Sequence, residues 1–398
     1  MEIINRDRYL QKIIPFIDKQ IIKVIVGQRR VGKSCFLKQV SGFIHSQNPD
    51  ANIIFIDKEL YDYHFINTAD DLIRYVQEQS NNKNNILFID EVQEIKAYER
   101  AVRHFFSKGY DIYLSGSNSE ILSGDLATML SGRYIQIRIH PLTYSEFCVF
   151  HKLENKKKTL DLYFRYGGMP YLKNLPLNDE TGFTYLTNLY QTILLKDVVS
   201  RYRIKHVDLL ERLVLFLADN TGSIVSAKKI NDFLKSQRIK ISNSVVINYL
   251  NFLDNAYFIN KTRRYDLRGK RFLEIGEKYY FSDTGIRNAL IGYRPDDINK
   301  ILENVVYTHL SANDYQVEVA KLYDYEIDFI ARKNQDIIYI QVAYLLPDEP
   351  TVKREFGNLQ KIKDNYPKFV VTMDDQRFDT YDGIMHYHIR DFLSKTTY

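Results

Sequence analysis

The sequence lacks the features that are typical of disulfide-rich, membrane-spanning or secreted proteins, and it therefore resembles an ordinary globular protein. Its 398 residues include only two cysteines, Cys35 and Cys148, which are too few for a disulfide framework and suit a reducing compartment. No run approaches the ~18 apolar residues of a membrane span. The polar start, MEIINRDRYL, is unlike a secretory signal peptide. We therefore expect a cytoplasmic protein with no membrane attachment.

The net charge is also small, but it is unevenly distributed. The whole chain is only +5, yet the segment from Lys228 to Arg271 has 11 lysines and arginines against three acidic residues, a net +8. The rest of the chain is therefore slightly acidic. This distribution indicates that the segment contacts an acidic partner.

Apolar strand candidates alternate with helical segments over residues 1–150. The candidates are IIKVIVG, NIIFID, NILFID, DIYLSGS and YIQIRI. Such alternation predicts an α/β fold with a mostly parallel central sheet that is covered on both faces.

The pattern then changes along the chain. Residues 151–206 are rich in tyrosine and leucine and predict helices, whereas residues 207–295 predict three helices followed by a basic hairpin. We therefore predict an α/β domain, a helical lid or linker, a winged-helix-like domain and a small α/β domain, at 1–150, 151–206, 207–295 and 296–398.

A phosphate-binding loop follows the first strand candidate. The stretch GQRRVGKS matches the pattern G-x-x-x-x-G-K-[ST], whose glycines let backbone N–H groups face phosphate oxygens at a helix N-terminus. Lys33 would reach the β- and γ-phosphates of ATP and Ser34 would hold Mg²⁺. The predicted nucleotide contacts are Gly27, Gln28, Arg29, Arg30, Val31, Gly32, Lys33, Ser34 and Cys35. We expect Arg29 and Arg30 to face solvent.

Two carboxylates end the strand candidate NILFID. Asp90 suits the metal shell that P-loop NTPases draw from this strand end, and Glu91 is placed to activate the attacking water. The alternative is an acidic helix start that caps its own N-terminus. The upstream phosphate-binding loop favours hydrolysis of ATP.

Two further polar residues follow later strand candidates. Asn118, after IYLSGS, would bond the water or the γ-phosphate, although an ordinary turn has the same composition. Arg133 precedes YIQIRI and would act as an arginine finger in a neighbouring subunit, or would simply be a solvated charge. A finger of this kind predicts a homo-oligomeric ring.

The order of these motifs resembles one family. RDRYL, VGQRRVGKS, LFIDEVQ, LSGSNSEIL, LSGRY, HPLTYSEF, YGGMPYL and LLKDVVSRY are similar to a bacterial and archaeal family of AAA+ ATPases. In that family an AAA domain precedes a C-terminal region of uncharacterised function. The resemblance covers nearly the whole chain. It implies an AAA+ fold over residues 1–150, a γ-phosphate sensor at Asn118 and a finger at Arg133.

The basic hairpin is the predicted nucleic-acid contact. In a winged helix the third helix would enter a major groove while the hairpin lies along phosphates. The third helix here, SNSVVINYLNFLDNA, has no lysine or arginine, so protein packing or a lid role stays open. The predicted DNA contacts are Lys261, Arg263, Arg264, Arg268, Lys270 and Arg271.

Residues 296–398 resemble the PD-(D/E)XK nuclease fold, with Glu303 and Asp328 at acidic positions. The next strand reads Gln341-Val342-Ala343, where an active nuclease has acid-x-Lys. A neutral amide is a poor ligand for a hard cation, and alanine donates nothing. We therefore expect a nuclease-like domain without nuclease activity, and an α/β domain unrelated to nucleases remains the alternative.

Three functions are compatible with these features. The first is an ATPase that uses Mg²⁺ to remodel or act on DNA or a protein partner. The second is a slow, nucleotide-gated switch that binds DNA or protein. The third is an active DNase, which Gln341 and Ala343 disfavour.

Overall fold

The computed structural model describes residues 4–81, 84–122, 132–239, 241–273, 276–375 and 379–398. The chain forms two compact units, one of Met1–His140 with Asn255–Tyr257 and one of Pro141–Asp254 with Phe258–Tyr398. The first unit ends at His140, whereas the sequence predicted a boundary at residue 150. Among the described residues, no helix has the length and apolar character needed to cross a membrane.

The first unit is a parallel sheet with helices in the connections. Its strands pair in the order β2-β3-β4-β1-β5, and each neighbouring pair is parallel. This confirms the predicted α/β fold with a central parallel sheet. The elements are α1 (Asp7–Ile13), β1 (Ile22–Val26), α2 (Lys33–Gln47), β2 (Asn52–Asp57), α3 (Ala69–Gln79), β3 (Asn85–Asp90), α4 (Tyr98–Ser107), β4 (Asp111–Gly116) and β5 (Tyr134–Arg138).

Burial explains why these segments form strands. Every residue of β1 and β4 is buried, as expected for central strands covered on both faces. Because all the strands run the same way, β1, β3 and β4 end at one edge of the sheet. The phosphate-binding loop, Asp90 and Ser115 therefore lie at that edge.

The second unit begins with helices. These are α5 (Tyr144–His151), α6 (Lys157–Tyr166), α7 (Asp179–Thr192), a π-helix (Ile193–Ser200), α8 (Val207–Asp219), α9 (Ala227–Ser236), α10 (Asn243–Asn255), α11 (Thr284–Ile291), α12 (Ile298–Ala312), α13 (Glu349–Gln360) and α14 (Ile389–Leu393). Residues 151–206 are thus mostly helical, as the sequence predicted. The three helices expected before the basic hairpin are α8, α9 and α10.

The strands of the second unit form two sheets. A small antiparallel sheet pairs β6 with β9, and a large mixed sheet has the order β14-β15-β13-β12-β11-β10-β7-β8. The strands are β6 (Ile259–Thr262), β7 (Arg264–Asp266), β8 (Arg271–Phe272), β9 (Lys278–Phe281), β10 (Gln316–Leu322), β11 (Tyr325–Lys333), β12 (Asp336–Val342), β13 (Lys368–Thr372), β14 (Thr380–Tyr381) and β15 (Ile384–His388).

The basic hairpin differs from the predicted wing. Only β6 and β9 form the sheet that follows the three helices, whereas β7 pairs in parallel with β10 and β8 pairs with β7. The physical reason is that β7 satisfies the backbone groups at the open edge of β10. Most of the basic residues therefore belong to the edge of the C-terminal sheet, across the predicted boundary at 295.

Candidate functional site

The phosphate-binding loop is built on backbone conformations that glycine permits. Gly27 has φ 148° and Gly32 has φ 99°, directly before α2 begins at Lys33. A Cβ on Gly27 would lie 2.3 Å from the carbonyl oxygen of Ile139. Only glycine fits there without moving the backbone of residue 139. The loop therefore has the shape that the sequence motif predicts.

Lys33 is held inside this loop. Its side chain is buried, and its Nζ atom lies 3.4 Å from the carbonyl oxygen of Gln28 and 3.4 Å from Oε1 of Glu91. The Gln28 side chain is also buried, and within the described part of the chain neither of its polar atoms has a hydrogen-bond partner. The loop thus offers the buried ammonium of Lys33 and the buried amide of Gln28.

Asp90 ends β3 with one carboxylate oxygen unsatisfied. Its Oδ1 atom accepts a hydrogen bond from the Ser115 hydroxyl, and the Ser34 side chain also hydrogen bonds to its carboxylate. Its Oδ2 atom is buried and has no hydrogen-bond partner among the described residues. Burial raises the pKa of Asp90, and the nearby carboxylates of Glu91 and Asp57 add to this effect. A buried carboxylate oxygen beside a hydroxyl is a suitable donor set for Mg²⁺.

Glu91 follows in a left-handed conformation with φ 53°. Its backbone N–H donates to the Ser115 hydroxyl at 3.0 Å, and its Oε2 atom accepts from the Gln93 amide. Burial acts to raise the pKa of Glu91, but the Lys33 charge and the Gln93 hydrogen bond outweigh it and lower the pKa. Glu91 is therefore an ionised carboxylate within the site.

The remaining predicted residues of this unit occupy different environments. Asn118 is buried just after β4, and its Oδ1 atom accepts the N–H of Glu120 at 2.8 Å. Arg133 is exposed before β5, and its backbone carbonyl accepts the N–H of Ile22 at 2.9 Å. That contact places Arg133 at the amino end of β1, the opposite edge from the phosphate-binding loop. The structure therefore does not bring Arg133 to the nucleotide site of its own chain.

The two loop arginines also differ from each other. Arg29 was expected to face solvent, and this is wrong, because it is 5% exposed and pairs with Glu59 at 2.9 Å. Arg30 is exposed, as expected, and Cys35 is exposed as well. The sequence near Arg29 does not predict the Arg29–Glu59 pair, because Glu59 follows a different strand.

Sequence analysis assigned no role to two residues that contact the carboxylates. Ser115 lies in the quoted stretch DIYLSGS and Gln93 in LFIDEVQ, so both motifs contained the signal. Their side chains hydrogen bond to Asp90 and Glu91 respectively. The polar group at a strand end was recognised at Asn118 but overlooked at Ser115.

The basic segment is less uniformly exposed than its charge suggests. Lys261 pairs with Glu277 at 2.9 Å, and Arg264 is half-buried, with an Nε atom that hydrogen bonds to none of the described residues. Lys240, which contributes to the charge of the segment, lies outside the described residues. The predicted contacts that are exposed are Arg263, Arg268, Lys270 and Arg271.

Exposed aromatic rings lie among these cations. The guanidinium of Arg263 is 5.7 Å from the ring centre of Phe272, and that of Arg268 is 5.3 Å from the ring centre of Tyr323. Phe272 is 46% exposed and Tyr323 is 58% exposed. The surface therefore offers both charge and flat apolar rings.

The predicted acidic positions of the C-terminal region do come together. Glu303 lies in α12, Asp328 in β11 and Gln341 in β12, and Gln341 accepts the Asp328 N–H at 3.3 Å. Asp328 in turn accepts the N–H of Val342 at 2.9 Å, and Gln341 donates to Glu355 at 2.9 Å. The Gln341 amide thus links the backbone of Asp328 to the carboxylate of Glu355.

A lysine that sequence analysis overlooked sits among these carboxylates. The Nζ atom of Lys278 in β9 lies 2.7 Å from Glu303, 2.9 Å from Glu326 and 3.7 Å from Asp328, and its side chain is 4% exposed. The carboxylates raise the pKa of Lys278 although burial acts to lower it. Burial and the Glu303 charge raise the pKa of Asp328 to about 8. Within the described ranges, no three His, Cys, Asp or Glu residues are grouped to hold a metal ion.

Comparison with known proteins agrees with the geometry of the first unit. Residues 19–148 match an AAA domain family, and residues 157–297 match a domain of unknown function, DUF8612. An uncharacterized protein of Haemophilus influenzae is 37% identical over 400 residues, which cover 98% of both chains. The uncharacterized protein MJ1544 of Methanocaldococcus jannaschii is 31% identical over 402 residues, covering 95% of this chain and 87% of the relative.

A solved structure has the same kind of fold. The Walker-type ATPase PABY2304 of Pyrococcus abyssi aligns with 73% of this chain and 96% of its own, with a TM-score of 0.50 and 16% identity. At that identity the alignment shows the fold alone. Residues 19–148 are therefore an AAA domain with a P-loop fold, which supports nucleotide binding and an ATP-dependent activity. The winged-helix and nuclease-like assignments stay predictions.

Proposed function

We propose that this chain, which belongs to the family of AAA-domain proteins that includes the Haemophilus influenzae relative, hydrolyses ATP with Mg²⁺. The observation that carries the proposal is the meeting of Lys33, Asp90 and Glu91 at one edge of the parallel sheet. A protein that only bound ATP would have little need of the second carboxylate.

Each group at this edge has a chemical task. Ser34 and Asp90 would hold Mg²⁺, which supplies neutralising charge to the β- and γ-phosphates when bound. The unsatisfied Oδ2 atom of Asp90 supports this assignment. Lys33 would pair with the same phosphates through its buried ammonium, leaving the Glu91 carboxylate with which it now pairs.

Glu91 would then serve as the general base. It would accept a proton from water while the water oxygen bonds to the γ-phosphorus. The bond from that phosphorus to the bridging oxygen breaks, and the products are ADP and inorganic phosphate. The hydrogen bond that Gln93 donates to Glu91 supports this role, since it favours the ionised carboxylate that a base needs before the reaction. Asn118, buried at the end of the adjacent strand, would hydrogen bond to the γ-phosphate or the water.

Two substitutions test hydrolysis separately from binding. Lys33→Ala should abolish tight ATP binding, and Glu91→Gln should keep binding but lower turnover roughly 10²–10⁴-fold, the usual contribution of a general base. Gln77→Ala, an exposed glutamine of α3, is the matched control. Turnover of wild-type protein no faster than that of Glu91→Gln, with or without DNA, would refute the proposal. Slow turnover with ATP-dependent partner affinity would instead favour the switch.

We further propose that the edge of the C-terminal sheet contacts nucleic acid. Exposed Arg263, Arg268, Lys270 and Arg271 would neutralise phosphates, and Phe272 with Tyr323 would stack on unpaired bases. The charge and the rings together support single strands over duplex DNA. Cleavage of DNA is not part of the proposal, because Lys278 occupies the space between the carboxylates.

A salt series tests this contact. Fluorescence anisotropy with labelled single-stranded and duplex DNA should give tighter binding to single strands and a steep loss of affinity with salt. Lys270→Ala should reduce the salt slope by about one, and Phe272→Ala should weaken single-strand binding alone. Equal binding by the Arg268→Ala, Lys270→Ala double variant and wild type would contradict the contact.

Arg133 would act on the nucleotide of a neighbouring subunit. It is exposed and lies at the far edge of its own sheet, which supports action in trans. A homo-oligomeric ring would bring it to the next site.

A further inference from the structure

Gln93 contacts the proposed base directly. It lies in the short 3₁₀ turn Val92–Glu94 that follows Glu91, and its Nε2 atom donates to Oε2 of Glu91. An ionised carboxylate only accepts hydrogen bonds, so the nitrogen end of the amide must face it. The orientation of the Gln93 amide is therefore set by Glu91.

The other end of this amide is left unsatisfied. The Oε1 atom of Gln93 is buried, and none of the residues that the structure describes gives it a hydrogen bond. A buried, unpaired acceptor costs stability, so each such group calls for a physical reason. If the Gln93 amide served only the fold, a hydrogen-bond donor to its oxygen would add stability, but no described residue supplies one.

Gly116 in β4 makes room for this oxygen. A Cβ on Gly116 would lie 2.7 Å from Oε1 of Gln93 and 2.8 Å from Cδ1 of Ile121. The φ angle of Gly116 is not positive, so glycine is needed at this position because it lacks a side chain and not because its backbone is free to adopt unusual angles. The end of the central strand is thus shaped around the Gln93 amide.

We infer that Gln93 is a positioning residue that fixes the Glu91 carboxylate for proton transfer. Lys33 and Gln93 contact different oxygens of Glu91, Oε1 and Oε2. If the Lys33 ammonium turns to phosphate, the hydrogen bond from Gln93 still restrains the carboxylate. The inference rests on the proposed ATP hydrolysis and adds a residue to it.

A double-mutant cycle on the full chain tests this role. Single-turnover ATP hydrolysis with Mg²⁺ and the Kd for ATP are measured for Gln93→Ala, for Glu91→Gln and for both together. We expect Gln93→Ala to lower the rate about tenfold or more with Kd nearly unchanged, because only proton transfer suffers. In the Glu91→Gln background the same substitution should change nothing, since its effect passes through Glu91.

Two more variants keep the test decisive. Gly116→Ala would place a Cβ atom against the Gln93 amide oxygen without contacting Glu91. It should give the same pattern of rate and Kd, and it replaces Gln93→Ala in the test if that variant folds poorly. Gln77→Ala, an exposed glutamine of the same unit, should match wild type. An equal rate loss in both Glu91 backgrounds, or no loss at all, overturns the role of Gln93. Wild-type turnover no faster than that of Lys33→Ala instead removes the hydrolysis on which the inference rests.

Discussion

Replacing Lys278 by methionine should destabilise the second unit strongly. Methionine has a similar length and can fill the same space, but it removes the ammonium that lies 2.7 Å from Glu303 and 2.9 Å from Glu326. Removing one partner of a buried ion pair typically costs ~3–5 kcal/mol, because the remaining charge is left uncompensated.

Two features place the expected cost near the lower limit. The Glu326 side chain is 33% exposed, so water can solvate it when the ammonium is gone. Asp328, with its pKa raised to about 8, can stay protonated at neutral pH. We therefore expect Lys278→Met to lower the free energy of unfolding by about 3 kcal/mol at pH 7, and by more at pH 9.

Urea unfolding followed by far-ultraviolet circular dichroism measures this loss. Lys278→Arg keeps the charge and is the control, with a much smaller expected effect. A Lys278→Met midpoint equal to that of Lys278→Arg would refute the reasoning, since the charge would then contribute nothing.

Three further predictions concern single groups. The pKa of Asp328 is about 8 in the folded chain and ~3.9 in the unfolded chain. The folded state therefore holds an extra proton, and the free energy of unfolding falls as the pH rises between these values. Asp328→Asn should remove up to ~1.4 kcal/mol per pH unit of this slope between pH 6.5 and 7.5, and an unchanged slope in urea unfolding would contradict the prediction. Gly27→Ala should abolish ATP binding in calorimetry, because the new Cβ atom would meet the carbonyl oxygen of Ile139. The control Gly42→Ala, which has open space around its Cβ, should bind ATP normally. Equal ATP binding by the two variants would argue against the loop geometry. Mixing Arg133→Ala with Lys33→Ala should restore some hydrolysis if sites are shared between subunits, and no recovery would speak against a ring.

The first unit was predictable because its signals are local. β1, β3 and β4 are short apolar runs that end in polar residues, and parallel strands bring those ends together. Asp90, Glu91 and the loop glycines could therefore be placed from the sequence. The Arg29–Glu59 pair could not, because it joins two loops whose spacing depends on the strand order.

The second unit was harder because its decisive contacts are distant in sequence. The alternation of residues predicts a strand, but it does not predict which strand will pair with the edge strand. β7 could have extended the sheet of β6 and β9, and it pairs with β10 instead. The count of positive charges was correct, yet it did not distinguish exposed Lys270 from Lys261, which pairs with Glu277.

Lys278 shows how the same limit affects a functional conclusion. The resemblance to nucleases raised only the question of whether Gln341 and Ala343 could replace an acid and a lysine on one strand. The structure supplies a cation from β9, a strand outside that pattern, and places it between Glu303 and Glu326. Because the ammonium already pairs with these carboxylates, they are not free to hold the divalent metal that a nuclease uses to activate water. The expectation of an inactive nuclease-like domain thus gains a reason that does not depend on Gln341, and Lys278→Met is the variant that separates the two reasons.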